Sequence, residues 1–230
     1  MGNYFIAFQL VMTPLSLLMA SLSQVMLPAF SLTESEVLPT RLEQYFKHVI
    51  CIIWIPIIFF GILLKNWGYL VIGDQDIDLI NAIIVVIIIR VLFLVIMNPV
   101  SSILAVLKKP QYELYWSIGS ISAVCVAVFL FRNLGFLNMI IIHSVISIIS
   151  MLVFLIIVMK IINISFKSFI ILILKGLFYA LPLIIMLVFA VFDRNIYGVV
   201  LPILTFLVSA CLLYLFEKKF LVSLKTRFIT

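Results

Sequence analysis

The chain has 230 residues, of which 66% are hydrophobic and 10% are charged, and its mean hydropathy is +1.39. A chain this apolar does not fold as a water-soluble domain, so we expect an integral membrane protein. The net charge of +6 does not indicate a nucleic-acid partner, because the basic residues lie at the ends of apolar stretches. Cys51, Cys125 and Cys211 lack the spacing of a metal or disulfide site, and we expect no cofactor.

Seven stretches are apolar and long enough to cross a bilayer, which takes about 20 helical residues. They lie at about 4–30, 46–64, 81–107, 111–131, 136–159, 168–192 and 196–216. The predicted fold is an all-α, polytopic transmembrane helix bundle that forms a single membrane domain over residues 1–230. Residues 217–230 are predicted to form a basic cytoplasmic tail. Before the third stretch, Asp76 or Asp78 is expected to cap the helix, since the acidic link lacks the glycine and glutamate of a calcium-binding EF-hand.

The basic residues fall into two unequal groups if the seven segments alternate in direction. One side carries ten of them, namely Arg41, Lys47, Lys108, Lys109, Lys160, Lys167, Lys218, Lys219, Lys225 and Arg227. The other side carries only Lys65, Arg132 and Arg194. Cytoplasmic loops of membrane proteins are enriched in Lys and Arg, so the N-terminus is predicted to lie outside and the C-terminus in the cytoplasm.

Two charged residues remain inside the predicted spans, and the first is Arg90, near the middle of the third. An arginine at that depth costs at least about 2.5 kcal/mol on insertion scales, so it should face a polar cavity, the bundle interior or an anionic partner. Further along, Asn98 and Pro99 are expected to interrupt the helix. Pro99 has no N–H, and the carbonyl one turn earlier must therefore find another partner.

Three further polar residues within the spans are candidates for function, each with a plainer alternative. Lys175 is only about two turns into the sixth span, so its side chain can instead extend to the membrane surface. His143 in the fifth span is either a proton relay or a hydrogen-bonded core residue. Gln9 and Ser16 share a face of the first span, and we expect that face to look into the bundle.

The first thirty residues contain a pattern of the form G-x-Y-x-x-A-x-x-L-x-x-x-P-x-x-L followed by S-Q-V-x-x-P. Its positions are filled by Gly2, Tyr4, Ala7, Leu10, Pro14, Leu17, Ser23, Gln24, Val25 and Pro28. This stretch resembles the start of the second half of bacterial polysaccharide and O-antigen flippases, which belong to the multidrug, oligosaccharidyl-lipid and polysaccharide exporter superfamily. The rest of the chain resembles that family only in its general hydrophobic pattern.

The resemblance implies that the seven helices form the second lobe of a two-lobed flippase in the bacterial inner membrane. The chain would then be a truncated or partial flippase that acts with a missing N-terminal lobe or as a homodimer. The implied substrate is an undecaprenyl-pyrophosphate-linked oligosaccharide of surface polysaccharide biosynthesis. Arg90, then Lys175 and His143, are the candidate partners of the pyrophosphate, and Gln9 and Asn98 are the candidate partners of the sugar hydroxyls.

Two other classes of protein compete with the flippase interpretation. A membrane enzyme of the polysaccharide pathway needs a polar outer loop with catalytic groups, whereas the outer loops here are short and offer only aspartates, so we expect no enzyme. A small-molecule exporter of the same superfamily is the closer alternative, because the fold does not set the substrate. Such exporters commonly use membrane carboxylates, and no Asp or Glu is predicted to lie deep in a helix.

Overall fold

The computed structural model describes residues 2–33, 36–68, 77–189 and 197–228. Every regular element in these ranges is helical: α1 Gly2–Ser31, α2 Leu38–His48, α3 Trp54–Trp67, α4 Ile77–Val106, α5 Gln111–Phe131, α6 Phe136–Ile162, α7 Phe166–Phe189 and α8 Tyr197–Phe228. A π-helical turn, Val49–Ile53, joins α2 to α3 without a break. Seven of the described helical segments are long and apolar enough to span a membrane. The predicted all-α, multi-pass membrane bundle is confirmed.

The second span begins at Leu38 and not near Phe46, the predicted start. Residues 38–48 are amphipathic, and their buried side chains, Leu38, Leu42, Tyr45 and Phe46, recur at helical spacing. Polar residues between them made this stretch resemble a link. Burial of one face is sufficient to make it a helix that continues directly into the membrane span.

The third span differs from prediction at two places. It begins at Ile77, with Asp78 in its first turn, while Asp76 lies outside the described residues. The expected interruption at Asn98 and Pro99 is absent, because α4 runs without a break to Val106. A proline within a helix removes one hydrogen bond but need not end the helix when neighbours satisfy the freed group.

The last two spans also differ from the predicted bounds. α7 begins at Phe166 and is described to Phe189, and the predicted end near residue 192 lies outside the described residues. α8 continues to Phe228, so residues 218–228 of the predicted tail are helical. The backbone of α8 departs from helical geometry at Glu217, with φ −117° and ψ 21°. This kink separates the membrane part of α8 from its Lys- and Arg-rich C-terminal segment.

α4 is the centre of the bundle and packs against α1, α3 and α6. Its Ile and Val side chains fill the core, including Ile84, Ile88 and Val95, which have no exposed surface. α5 is peripheral and packs mainly on α6, where the Trp116 indole N–H donates to the Ser150 carbonyl at 2.8 Å.

Contacts at both ends of the bundle agree with the predicted alternation for the second, sixth and seventh spans. Lys47, near the start of the second span, pairs with Glu217 of the last span. At the opposite end, the Lys65 ammonium donates to the Leu187 carbonyl at 3.0 Å and thereby joins the C-terminal ends of α3 and α7. We call the end that carries Lys47, Lys108, Lys160 and Lys167 the basic end.

The backbone oxygen freed by Pro99 has a partner on the second span. Residue 99 has no N–H to donate to the carbonyl of Val95, four residues earlier. The Tyr45 hydroxyl donates to this oxygen at 2.9 Å, and both groups are buried. One turn away, the Trp54 indole N–H donates to the Leu92 carbonyl at 2.9 Å. Two aromatic side chains therefore fix α4 against the second span.

The π-helical turn packs against α7 at Gly176. A Cβ atom at residue 176 would lie 2.9 Å from the Ile50 carbonyl oxygen and would overlap the Ile50 side chain. The absence of a side chain allows the two backbones to approach closely, as small residues commonly do between membrane helices.

Removing the Tyr45 hydroxyl should destabilise the bundle through the Val95 carbonyl. We expect Tyr45→Phe to lower the free energy of unfolding by about 1 kcal/mol, because a buried acceptor loses its donor. In the Pro99→Ala background the new N–H can bond the same carbonyl, so the cost of Tyr45→Phe should shrink. The cost of Tyr45→Phe in each background is measured by unfolding the protein in mixed micelles with increasing SDS and following tryptophan fluorescence. Tyr115→Phe is the matched control, because the Tyr115 side chain is exposed. Equal costs in both backgrounds would contradict this role.

Gly176→Ala should destabilise the protein by about 1–3 kcal/mol in the same assay, because the added methyl group overlaps Ile50. Gly119→Ala is the matched control, since a Cβ there meets nothing within 4 Å. It should be neutral or stabilising, because alanine favours helix over glycine. Equal stability of the two variants would show that close packing at Gly176 is unimportant.

Candidate functional site

Arg90 lies half-buried on α4, on the side that faces α1 and α6. The Tyr4 side chain of α1 and the His143 imidazole of α6 both lie near the Arg90 guanidinium. The Nε atom is buried and has no hydrogen-bond partner within the described parts of the chain. Three polar side chains from three helices therefore meet here, with one donor unused.

The Arg90 side chain extends toward the N-terminal end of α1. On α4, Asn98 lies beside Met19 of α1, while Arg90 reaches Tyr4. The two contacts are separated by eight residues on α4 and fifteen on α1, a difference of about 10 Å at the helical rise. The Arg90 and Tyr4 side chains must span that difference. The guanidinium therefore lies closer to the membrane surface opposite the basic end than its backbone does.

His143 is half-buried on α6, and the serines that follow it do not extend it into a polar chain. The Ser147 hydroxyl donates back to the His143 carbonyl at 2.8 Å, which satisfies it within its own helix. Ser144 is buried as well. The histidine therefore belongs to the site through its proximity to Arg90 and not through the serine ridge.

The structure does not bring Gln9 to Arg90, and the expectation that its face looks into the bundle is wrong. Gln9 and Tyr4 are about 140° apart around α1. Gln9 is exposed and accepts a hydrogen bond from Thr13 at 3.0 Å. The exposed polar face of α1 consists of Gln9, Thr13, Ser16 and Gln24. We call it the polar face of α1.

Asn98 is also separate from the Arg90 group. Its side-chain amide lies 3.4 Å from the Met19 carbonyl, two turns along α4 toward the basic end. The Asn98 side chain is partly exposed. It donates to the backbone of α1 and thereby fixes the contact between α4 and α1. It does not add to the polar groups around Arg90.

Lys175 lies in a second charged group, at the basic end. The carboxylate of Glu217 is 2.6 Å from the Lys47 ammonium and 3.5 Å from that of Lys175, and the Tyr179 hydroxyl donates to it at 3.4 Å. The Glu217 side chain is only 8% exposed, whereas Lys175 is 48% exposed. The sequence interpretation of Lys175 as a residue that extends toward the surface agrees with this exposure, and its charge is used by Glu217.

Sequence reasoning missed Tyr4, Glu217, Lys47 and Tyr179. Glu217 was assigned to the tail because it precedes Lys218 and Lys219. Lys175 itself indicates that a carboxylate such as Glu217 must be nearby, since a lysine inside a span requires a partner of opposite charge. Glu217 also modifies the expectation about carboxylates: it is buried, but it lies at the end of a span and is paired with two lysines.

Among the described residues, no three His, Cys, Asp or Glu side chains are arranged to hold a metal ion. Cys51 is buried, while Cys125 and Cys211 are exposed. The groups available at Arg90 are therefore hydrogen-bond donors and a positive charge, which suit an anionic ligand.

No protein family, curated protein or solved structure matches this chain.

Loss of the Glu217 carboxylate should destabilise the bundle more than loss of either lysine. We expect Glu217→Gln to cost about 3 kcal/mol of unfolding free energy, because two ammonium groups then face each other without a counter-charge. Lys47→Met should cost less, and Lys175→Met least, since its contact is longer and its side chain is half-exposed. SDS unfolding measures the loss of unfolding free energy for each of the three variants. A loss for Lys175→Met equal to that for Glu217→Gln would contradict the predicted order.

Proposed function

We propose that this protein is one lobe of a flippase that moves an undecaprenyl-pyrophosphate-linked oligosaccharide across the bacterial inner membrane for surface polysaccharide synthesis. The observation that supports the proposal best is Arg90, a cation within a membrane span with a buried Nε that has no partner among the described residues. The opening thirty residues, with their resemblance to polysaccharide flippases, point to the same class of substrate.

The substrate poses an electrostatic problem that Arg90 is suited to solve. A pyrophosphate is costly to move through hydrocarbon unless cations are available along its route. A guanidinium binds phosphate oxygens through parallel N–H donors, and the Tyr4 side chain lies beside this guanidinium. The His143 imidazole lies nearby. Lys175 is not part of this route, because its ammonium is held by Glu217.

The polar face of α1 supports a transporter with a second lobe. Exposed Gln9, Thr13 and Ser16 are poorly suited to contact lipid chains, since polar groups in a membrane normally face a bundle interior or a water-filled cavity. In our proposal this face lines a central cavity against another lobe, and alternating access moves the two lobes about it. The basic end faces the cytoplasm, by the enrichment of Lys and Arg there.

Glu217 is the feature that favours a proton-coupled exporter of small molecules instead. Its carboxylate is buried, as such a mechanism requires, but two lysines and a tyrosine already surround it. A carboxylate held by two cations is stabilised in its charged form and is a poor proton carrier. We therefore prefer the anionic-lipid substrate.

Neutralising Arg90 should weaken binding of undecaprenyl pyrophosphate to the purified protein in nanodiscs. We expect Arg90→Ala to raise the Kd about 10- to 100-fold, because charge-assisted hydrogen bonds of about 1.5–3 kcal/mol are lost. Arg90→Lys should give an intermediate value, since lysine keeps the charge without the planar fork. Arg132→Ala is the matched control, as Arg132 is exposed and stacks over Phe129.

Unchanged binding of undecaprenyl pyrophosphate by Arg90→Ala would show that Arg90 is not part of the substrate route.

The role of the second lobe is tested in a bacterium that lacks its own flippase. Surface polysaccharide is scored with this chain alone and with this chain together with a separately encoded first lobe. We expect restoration only with both, and its loss on Arg90→Ala at equal membrane abundance. Restoration by the chain alone would favour a homodimer, whereas no restoration in either case would contradict the transport proposal.

A further inference from the structure

A cleft of about 480 Å³ lies between the C-terminal part of α1 and the second span, away from Arg90. This volume is within the range of small-ligand sites, about 300–1,000 Å³. Most of its wall is aliphatic or aromatic. The lining residues are Leu22, Met26, Ala29, Phe30, Arg41, Gln44, Tyr45, His48, Val49, Ile52 and Ile53.

The polar side chains of the cleft line one wall, from its mouth to about the middle. Arg41, Gln44 and His48 are spaced by three and four residues, so they follow one face of α2. Beyond them, the π-helical turn contributes Ile52 and Ile53, and α1 contributes Leu22. The cleft therefore has a charged mouth and an apolar interior, which is the polarity of a lipid molecule.

The length of the cleft corresponds to one leaflet of a bilayer. From Leu22 to Phe30 α1 rises about 12 Å, and from Arg41 to Ile53 the second span rises about 18 Å. Half of the hydrocarbon core is about 15 Å. Arg41 lies in the first turn of α2, at the basic end of the bundle, where headgroups are expected. The mouth is thus at headgroup level and the apolar part reaches toward the bilayer midplane.

The mouth is accessible and carries the charge of Arg41. Arg41 is exposed, and no carboxylate of the described residues forms a salt bridge with it. It lies where the N–H groups of the first turn of α2 have no side-chain cap, so the helix dipole adds to its charge. A phosphate group suits both features. Glu43 is not among the lining residues.

We propose that this cleft binds one anionic glycerophospholipid of the leaflet at the basic end. Its phosphate contacts Arg41, and one acyl chain lies along Met26 and Ile52. A polyprenyl diphosphate has the same phosphate chemistry, but its chain is longer than one leaflet. The site is distinct from Arg90 and does not depend on the proposed transport function.

The test is native mass spectrometry of the full chain, taken from nanodiscs of phosphatidylcholine doped with phosphatidylglycerol. We expect one phosphatidylglycerol retained per chain, and about tenfold lower retention with Arg41→Gln, because a charge-assisted contact is lost. Lys109→Gln is the matched control, since it removes one exposed charge at the same end. Ala29→Phe should block the cleft, whereas Ala20→Phe, at an exposed position of the same helix outside the cleft, should not.

Equal retention of phosphatidylcholine, or retention unchanged by both Arg41→Gln and Ala29→Phe, would overturn the proposal in favour of general lipid contact. Displacement of phosphatidylglycerol by an equal amount of undecaprenyl pyrophosphate would overturn it in favour of a substrate site. Arg90→Ala separates the two sites: it should leave phosphatidylglycerol retention unchanged while weakening undecaprenyl pyrophosphate binding. SDS unfolding of Arg41→Gln and Ala29→Phe verifies that any loss of lipid is not a loss of fold.

Discussion

A single backbone oxygen constrains how this bundle is assembled. Within hydrocarbon no water is available for an unpaired carbonyl, so the Val95 oxygen freed by Pro99 requires a donor from another helix. The Tyr45 hydroxyl meets that need, and Trp54 adds a similar bond one turn away. Because α4 is the central helix, the position of the second span depends on these two contacts. The π-helical turn, the close approach to Gly176 and one wall of the cleft beside α1 all belong to this same span.

The charges of the spans are accommodated in three different ways. Arg90 is long enough to reach Tyr4 near the end of α1, so its charge is moved away from its backbone position. Glu217 is buried but surrounded by Lys47, Lys175 and Tyr179. Lys65 donates to the Leu187 carbonyl of α7. Only the Arg90 group combines a cation with a buried donor left unused among the described residues, which makes it the candidate for ligand binding.

The architecture was largely predictable from sequence, but the partners of the polar groups were not. Apolar length and the distribution of Lys and Arg predicted seven alternating spans, because both depend only on the properties of each segment. The need for a donor at Val95 also followed from Pro99 alone. That the donor would be Tyr45 depends on which helices are neighbours, and no local pattern contains that information.

The predictions that the structure contradicts also failed because local sequence does not show which helices are neighbours. Residues 38–45 were assigned to a link because half of them are polar, although a buried face makes them helical. Glu217 was assigned to a tail because its neighbours in sequence are lysines, whereas its partners lie far away along the chain. The polar face of α1 was expected to look inward, since sequence periodicity identifies a face but not its direction.

The π-helical turn Val49–Ile53 accommodates one more residue than an α-helical path of equal length. Regular α-helix through the same stretch would rotate Leu38–His48 by about 100° relative to α3. Tyr45 would then turn away from the Val95 carbonyl, and the side chains at the mouth of the cleft would turn with it. In evolutionary terms, this span is therefore unusually sensitive to the gain or loss of a single codon. Substitutions along the lipid-facing side would be tolerated far more readily than a change in its length.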